Sequence, residues 1–404
     1  MDDRSWPRNV ICLGTDWYSP LESSVRQIVS EFRHRGSSVL WVNPLPIRFP
    51  NVRRPDFRKK VINKAKTHAK LLNRVAPDVT VLSPFYLPIF TPAGMRLNRV
   101  LVSSQIWLAS LVLGLRSPLI IASEYTAWYA LPAIKRHPMF FHFADKISAF
   151  REVANQPEKR RRLEEMEQEI ICTADISGCS SRMIHKHVQA VAQAHSISTD
   201  RILYLPHAVD ARIFAAAKGR PLPADIKDIP HPIAGYYGSL TQVNDKETFL
   251  KAAQALPDWS FVFIGKVVGD YDELTKQENV HFLGPKAHAD IPSYGECFDV
   301  CFMGWLANEW IANCFPLKTL EYLLLGKPIV CSAVIHEIAN SFPEFIRFTD
   351  SPTEFTEALV AEHSQNSPEK IANRKTAVEN FTWEGYVDSL LSEFDQEQKD
   401  KIRD

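Results

Sequence analysis

The sequence predicts an α/β protein built as two doubly wound, parallel-sheet, Rossmann-like domains. Three observations carry that prediction. The chain has 404 residues, more than one ordinary hydrophobic core holds. Short apolar runs that end in Gly, Pro or polar residues alternate with helical patterns, and they do so separately in each half. Between the halves lies PHAVDARIFAAAKGRPLPADIKDIPH (206–231), rich in proline and small residues, which reads as an interdomain connection.

The first half opens with NVICLG (9–14), a strand run closed by Gly, then a helical pattern over 21–34 and a second apolar run over 38–42 that ends in Asn-Pro. Strand, helix, strand is the opening βαβ unit of a parallel sheet. Further strands are expected at 79–82, 119–122, 140–142 and 201–205, with one more inside 170–178 after a helix over 158–171. The second half restarts the rhythm. Strands are expected at 232–237, 260–264, 280–283, 300–303 and 329–332, and helices at 246–255, 291–297, 318–325, 353–363 and 368–379. A last helix begins at Trp383. The expected domains are 1–205, an acceptor domain, and 232–382, a nucleotide-sugar donor domain. Residues 383–404 are expected to pack back toward the first. Ligands should bind in the crevice at the carboxyl ends of the strands, between the halves.

Hydrophobic residues are 45% of the chain and charged residues 23%, a globular composition. Net charge is zero, which argues against a nucleic-acid binder. Seven cysteines, an odd number with no C-x-x-C, suit neither a disulfide framework nor a zinc site. They read as reduced thiols of a cytoplasmic protein. The polar opening MDDRSWPRNV does not have the form of a signal peptide. The most apolar stretch, 100–115, is short of the roughly 20 residues a spanning helix needs and contains three serines and a glutamine, so a buried helix is expected there.

The most informative segment is NCFPLKTLEYLLLGKP (313–328). Pro316 suits a helix start, where its missing N–H costs nothing. That start offers free amides and the positive end of the helix dipole, suited to a phosphate. Lys318 adds a mobile cation in the first turn. Glu321 follows one turn later on the same face, and a carboxylate there suits a neutral diol, such as a ribose, better than a phosphate. Gly326 and Pro328 close the helix. A surface i,i+3 pair accounts for the same two residues.

The stretch PLKTLEYLLLGKPIV (316–330) resembles the donor-site helix of GT-B-fold glycosyltransferases, most closely the family 4 and teichuronic-acid-type enzymes of bacterial cell-surface polysaccharide synthesis. The likeness extends to LPHAVDARIF (205–214), IAGYYGSL (233–240), FVFIG (261–265) and VHFLGP (280–285), about half the chain. It implies a GT-B architecture, two facing domains with a cleft between them, and a metal-independent hexosyltransferase. The donor would be a UDP- or GDP-linked sugar, UDP favoured, used as substrate rather than cofactor; the acceptor would be lipid-linked or a cell-surface glycan. By the same resemblance Lys318 would hold the diphosphate and Glu321 the ribose. Gly238 and Ser239 would approach the phosphates, and His281, Gly284 and Lys286 would border the base. Two positions depart from the family pattern. Asn313 stands where retaining members carry a second Glu, and Ser239 where they carry a phosphate-binding Arg, with Lys246 the nearest replacement. A non-catalytic nucleotide-sugar-binding scaffold and a sugar-nucleotide epimerase are the rival readings.

The acceptor must lose a proton as it attacks, and carboxylates or His at strand ends are the natural bases. Asp16 follows the first strand, Glu124 follows LIIAS, and His142 and Asp145 lie in FFHFADKISAF (140–150). This last segment resembles D-x-x-D-D-x-S-A-F of the teichuronic-acid-type enzymes, with Asp145 matched, His142 in place of the first Asp and Lys146 in place of the third. A helix cap or turn role is the alternative for each. Asp270-Tyr-Asp272 spells D-x-D but sits away from the expected phosphate site, so no metal is expected there. His336 and Glu337, one loop after the strand at 329–332, are candidates for reaching the sugar.

Ten Lys or Arg and one acid lie between Arg48 and Arg74, interleaved with apolar residues. Arg53, Arg54, Arg58, Lys59, Lys60, Lys64 and Lys66 are expected to dock peripherally on anionic lipid at the inner face of the cytoplasmic membrane.

Overall fold

A computed structural model describes residues 7–19, 22–45, 71–87, 89, 91–150, 153 and 155–403. The basic residues Arg53, Arg54, Arg58, Lys59, Lys60, Lys64 and Lys66 lie outside the described residues. The chain divides into two compact units, residues 1–206 with 386–404, and residues 207–385.

The first unit holds an eight-stranded sheet. Its strands are β1 (Asn9–Leu13), β2 (Ser38–Val42), β3 (Leu72–Ala76), β4 (Val79–Leu82), β5 (Leu119–Ala122), β6 (Met139–Phe143), β7 (Ile176–Cys179) and β8 (Ile202–Tyr204), in the order β3-β4-β2-β1-β5-β6-β7-β8. All neighbours are parallel except β3, which runs antiparallel to β4 at the edge. The inner strands VICL, LIIA and MFFHF are buried along their length, as strands covered on both faces must be. Helix α1 (Ser24–His34) packs Val25, Ile28, Val29 and Phe32 inward, the i, i+3, i+4, i+7 spacing of an amphipathic helix. Strand β1 has β2 on one side and β5 on the other, so the winding reverses between β1 and β5. The segments that leave these two strands diverge there and open a crevice. Ser123 N donates to Leu13 O across that point at 3.1 Å.

Helix α2 (Pro92–Val112) corrects one expectation. It begins eight residues before the apolar run, where Thr91 caps it by accepting from Gly94 N and Pro92 occupies the first turn. Only one face is buried, with Val102, Ile106 and Ala109 in the core; Val100, Trp107, Leu108, Leu111 and Val112 are each more than half exposed. Among the described residues no helix is long and apolar enough to cross a membrane.

The second unit has six strands: β9 (Ile233–Tyr237), β10 (Ser260–Ile264), β11 (Val280–Gly284), β12 (Val300–Met303), β13 (Ile329–Ser332) and β14 (Ile346–Thr349), in the order β11-β10-β9-β12-β13-β14 and all parallel. The sequence pattern missed β3 and β14, each at one edge of its sheet. Here the reversal falls between β9 and β12, so the segments beginning at Gly238 and Gly304 border the crevice. Its helices include α3 (Leu317–Leu324), α4 (Pro352–Ser364) and α5 (Pro368–Thr376). The last helix, α6 (Trp383–Arg403), starts in the second unit and delivers Tyr386 and Asp388 to the first, where Asp388 pairs with Arg35 at 2.6 Å. All seven cysteines are free thiols.

Candidate active site

In the second unit, α3 leads from Pro316 into the crevice left by β9 and β12. Tyr322 fastens it, its hydroxyl accepting from Tyr237 N at 3.1 Å beneath the sheet end. Lys318, in the first turn, lies over the Tyr236 ring at 4.3 Å and the Trp305 ring at 4.9 Å, and donates to Tyr236 Oη at 3.0 Å. Two aromatic faces thus hold the ammonium with only weak, displaceable bonds. Gly238 turns back at φ +135°, and a Cβ there would sit 2.6 Å from Lys318 Nζ. Gly265 ends the neighbouring β10 at φ +142°, and a Cβ there would overlap the Gly238 carbonyl. Two successive strand ends are therefore restricted to glycine, which lets the β9 turn and Lys318 come together.

Glu321 lies one turn beyond Lys318 with its side chain 14% exposed, and His288 Nε2 is 3.4 Å from its Oε1. Burial first, and the Glu321 carboxylate second, hold the Tyr237 phenol well above its usual range, so it stays protonated. A cation, a carboxylate and a tight glycine turn thus converge at the switch point of one sheet.

The other expected donor residues are engaged elsewhere. Lys286 forms an ion pair with Asp225 at 2.5 Å, and Asp225 also accepts from Tyr294 Oη. Lys246 reaches Asp270 O at 3.0 Å and Asp270 Oδ2 at 3.5 Å. Asn313 donates from Nδ2 to Glu309 O at 2.6 Å, so its amide is turned onto its own helix. Ser239 offers its carbonyl to Tyr236 Oη at 3.3 Å. Burial lowers the His281 imidazole and favours its neutral form. Glu337 is buried, with Ser341 Oγ at 3.5 Å.

In the first unit the structure brings Glu124 and Asp145 together, at the ends of adjacent strands β5 and β6. Burial, then the nearby Asp145 carboxylate, push Glu124 up to about 7. Such a group exchanges its proton near neutral pH. Asp16 is exposed and shapes its own turn, its Oδ1 accepting from Tyr18 N at 3.1 Å and its carbonyl from Arg26 at 2.7 Å. His142 requires a correction. Its ring is fully buried, with Nε2 2.9 Å from Ser24 Oγ and Nδ1 2.9 Å from Tyr386 Oη. Both nitrogens serve the packing of α1 and α6 on β6, which suits a packing residue better than a base.

Sequence reasoning missed Tyr236, Trp305 and His288. The aromatic residues carried one signal, since each lies within two residues of a strand-ending glycine, in GYYG and MGW. His288 carried none.

Residues 231–365 match the family described as Glycosyl transferases group 1. Over 217 residues the chain is 27% identical to TuaH of Bacillus subtilis (strain 168), whose name describes it as a teichuronic acid biosynthesis glycosyltransferase. That alignment takes in 52% of this chain and spans about half of the relative, 54% of it. Among solved structures, sucrose-phosphate synthase from Thermosynechococcus elongatus superposes with a TM-score of 0.66 at 17% identity, over 96% of this chain and 99% of that one. HepE of Anabaena, crystallised with UDP and glucose, gives 0.63 at 14% identity over 96% and 99%. A trehalose-6-phosphate protein of E. coli, bound with UDP-2-fluoro glucose, gives 0.66 at 12% identity over 95% and 98%. The two sheets are those of the GT-B fold, and within the second unit residues 231–365 match the model of a group 1 glycosyl transferase domain.

Proposed function

We propose that the chain is a hexosyltransferase that moves a sugar from a nucleotide-diphosphate donor, UDP-linked in preference to GDP-linked, to a lipid-linked or cell-surface glycan acceptor. One observation carries the reading: Lys318 and Glu321 stand one turn apart at the switch point of the second sheet, against the glycine turn at Gly238. In the reaction the acceptor oxygen bonds to the anomeric carbon as the bond from that carbon to the diphosphate breaks. The departing diphosphate gains negative charge. Lys318 leaves its aromatic cage to meet it, together with the first amides of α3, and this charge balance needs no metal ion. Glu321 accepts from the ribose hydroxyls, each bond worth roughly 1.5–3 kcal/mol. The acceptor proton needs a base, and in the first unit Glu124, pushed up to about 7 by burial and by the Asp145 carboxylate, is the candidate. UDP is favoured because HepE and the E. coli protein were crystallised with UDP compounds.

Thermal unfolding with UDP, GDP, ADP and CMP tests the donor. A nucleotide at 100 times its dissociation constant adds about 2.7 kcal/mol. UDP should raise the midpoint of the wild type and leave Glu321→Ala unmoved. Equal stabilisation of both proteins overturns the assignment of Glu321. Stabilisation by UDP without turnover on any acceptor would favour a non-catalytic binding subunit, the reading to which the inward-turned Asn313 points.

A further inference from the structure

The outward face of α2 is an apolar surface that the fold, among the described residues, leaves exposed. Val100, Trp107, Leu108, Leu111 and Val112 follow helical spacing along it. Side-chain amides extend the surface. Asn98 holds Leu87 through both its backbone N and O at 2.7 Å, and Gln105 does the same for Phe85 at 2.7 and 2.8 Å. Phe85, 60% exposed, is thereby fixed beside the helix rather than folded into the core. Two buried or half-buried amides bond this segment in place, so its exposed aromatic ring belongs to a fixed surface.

Charge names the partner. From residue 71 to residue 123 the sequence has Arg74, Arg96, Arg99 and Arg116 against one acid, Asp78. Asp78 is itself neutralised by Arg33 at 2.6 Å. From residue 79 to residue 123 there is no acidic residue at all. An apolar face whose own segment carries no acid, with Arg96 and Arg116 exposed at its ends, Arg99 paired with Glu169, and an exposed Trp107, matches a bilayer interface with anionic headgroups. A water-soluble protein partner would have no need of so one-sided a charge. The inner face of α2 is fixed to its own unit, with Val102 and Ile106 in the core and Ser103 Oγ bonded to Tyr129 O at 3.1 Å.

We propose that α2 and the Phe85 segment form the surface that seats this protein on an anionic lipid bilayer, Trp107 and Leu111 entering the headgroup boundary. The proposal stands independently of the donor assignment, and the two fail separately. Flotation of the full chain with vesicles of phosphatidylcholine and phosphatidylglycerol, and with phosphatidylcholine alone, tests it. The wild type should partition about tenfold better into the anionic vesicles at low salt, and Trp107→Glu/Leu111→Glu should lose about tenfold of that partition. Both substitutions lie on an exposed face, so the thermal midpoint and the UDP-induced shift should stay those of the wild type. If the double variant is unfolded, Leu111→Gln alone gives the same reading with a smaller loss. Wild-type partition in the folded variant overturns the proposal. So does a wild-type dimer in sedimentation that the variant turns into monomer while flotation is unchanged, which would assign the face to a second copy of the chain.

Discussion

The two sheets of this protein are wound alike and end in opposite chemistry. At the reversal of the first sheet Glu124 is buried at the end of β5, with the Asp145 carboxylate near it from the end of the next strand, β6. At the reversal of the second, Lys318 rests on the rings of Tyr236 and Trp305 beside two glycines. Topology places the crevice; the residues just past each strand decide whether it attracts protons or anions. A strand-ending glycine makes room for a cation in one case, and an apolar strand end depresses the ionisation of a carboxyl in the other.

The largest effect expected from breaking this contrast is at the cation. Lys318→Met should lower kcat/KM by about 10²–10³, the scale for one preorganised donor of charge, with little change in the unfolding midpoint. The second sheet also depends on its glycines. Gly265→Ala puts a Cβ onto the Gly238 carbonyl in a left-handed conformation and should cost about 3 kcal/mol in urea unfolding. In the first unit the contrast can be sharpened through pH. Glu124 binds its proton more tightly folded than unfolded, so it favours the folded state at low pH. That contribution is lost as pH rises from about 4.5 through about 7. Glu124→Gln should therefore stabilise the protein at pH 8 by about 2–3 kcal/mol while lowering turnover. If Glu124 is the base, wild-type kcat should rise with pH through about 7, and the Gln variant should lose that limb. The smallest effect belongs to His142. Tyr386→Phe removes its Nδ1 partner and should cost about 1 kcal/mol without altering the pH–rate profile, as befits a packing residue.

Much of this was legible in the sequence where the signal is local. VICL, LIIA and FVFI announce buried parallel strands because both faces are apolar at once. Lys318 and Glu321 were legible because a helix turn brings them together without help from the rest of the chain. The edge strands LNRVA and IRFT were not, since each is short and polar residues, Asn73 and Arg74 or Arg347, interrupt its apolar run. The outward face of α2 misled for the converse reason: apolar residues were read as buried, and no polar contrast marked the exposed side. His142 looked chemical because its partners, Ser24 and Tyr386, lie 118 and 244 residues away. The cage around Lys318 was hidden likewise, as Tyr236 lies 82 residues before it.

The pairing of Tyr386 with His142 also sets a schedule for synthesis. Residues 207–385 form a continuous stretch and can fold as soon as they leave the ribosome. The first unit, although made earlier, cannot complete the bonds of His142 or pair Arg35 until Tyr386 and Asp388 emerge. The half of the chain translated first is thus the half that finishes last, and it waits with a buried imidazole half-satisfied while a whole second unit forms.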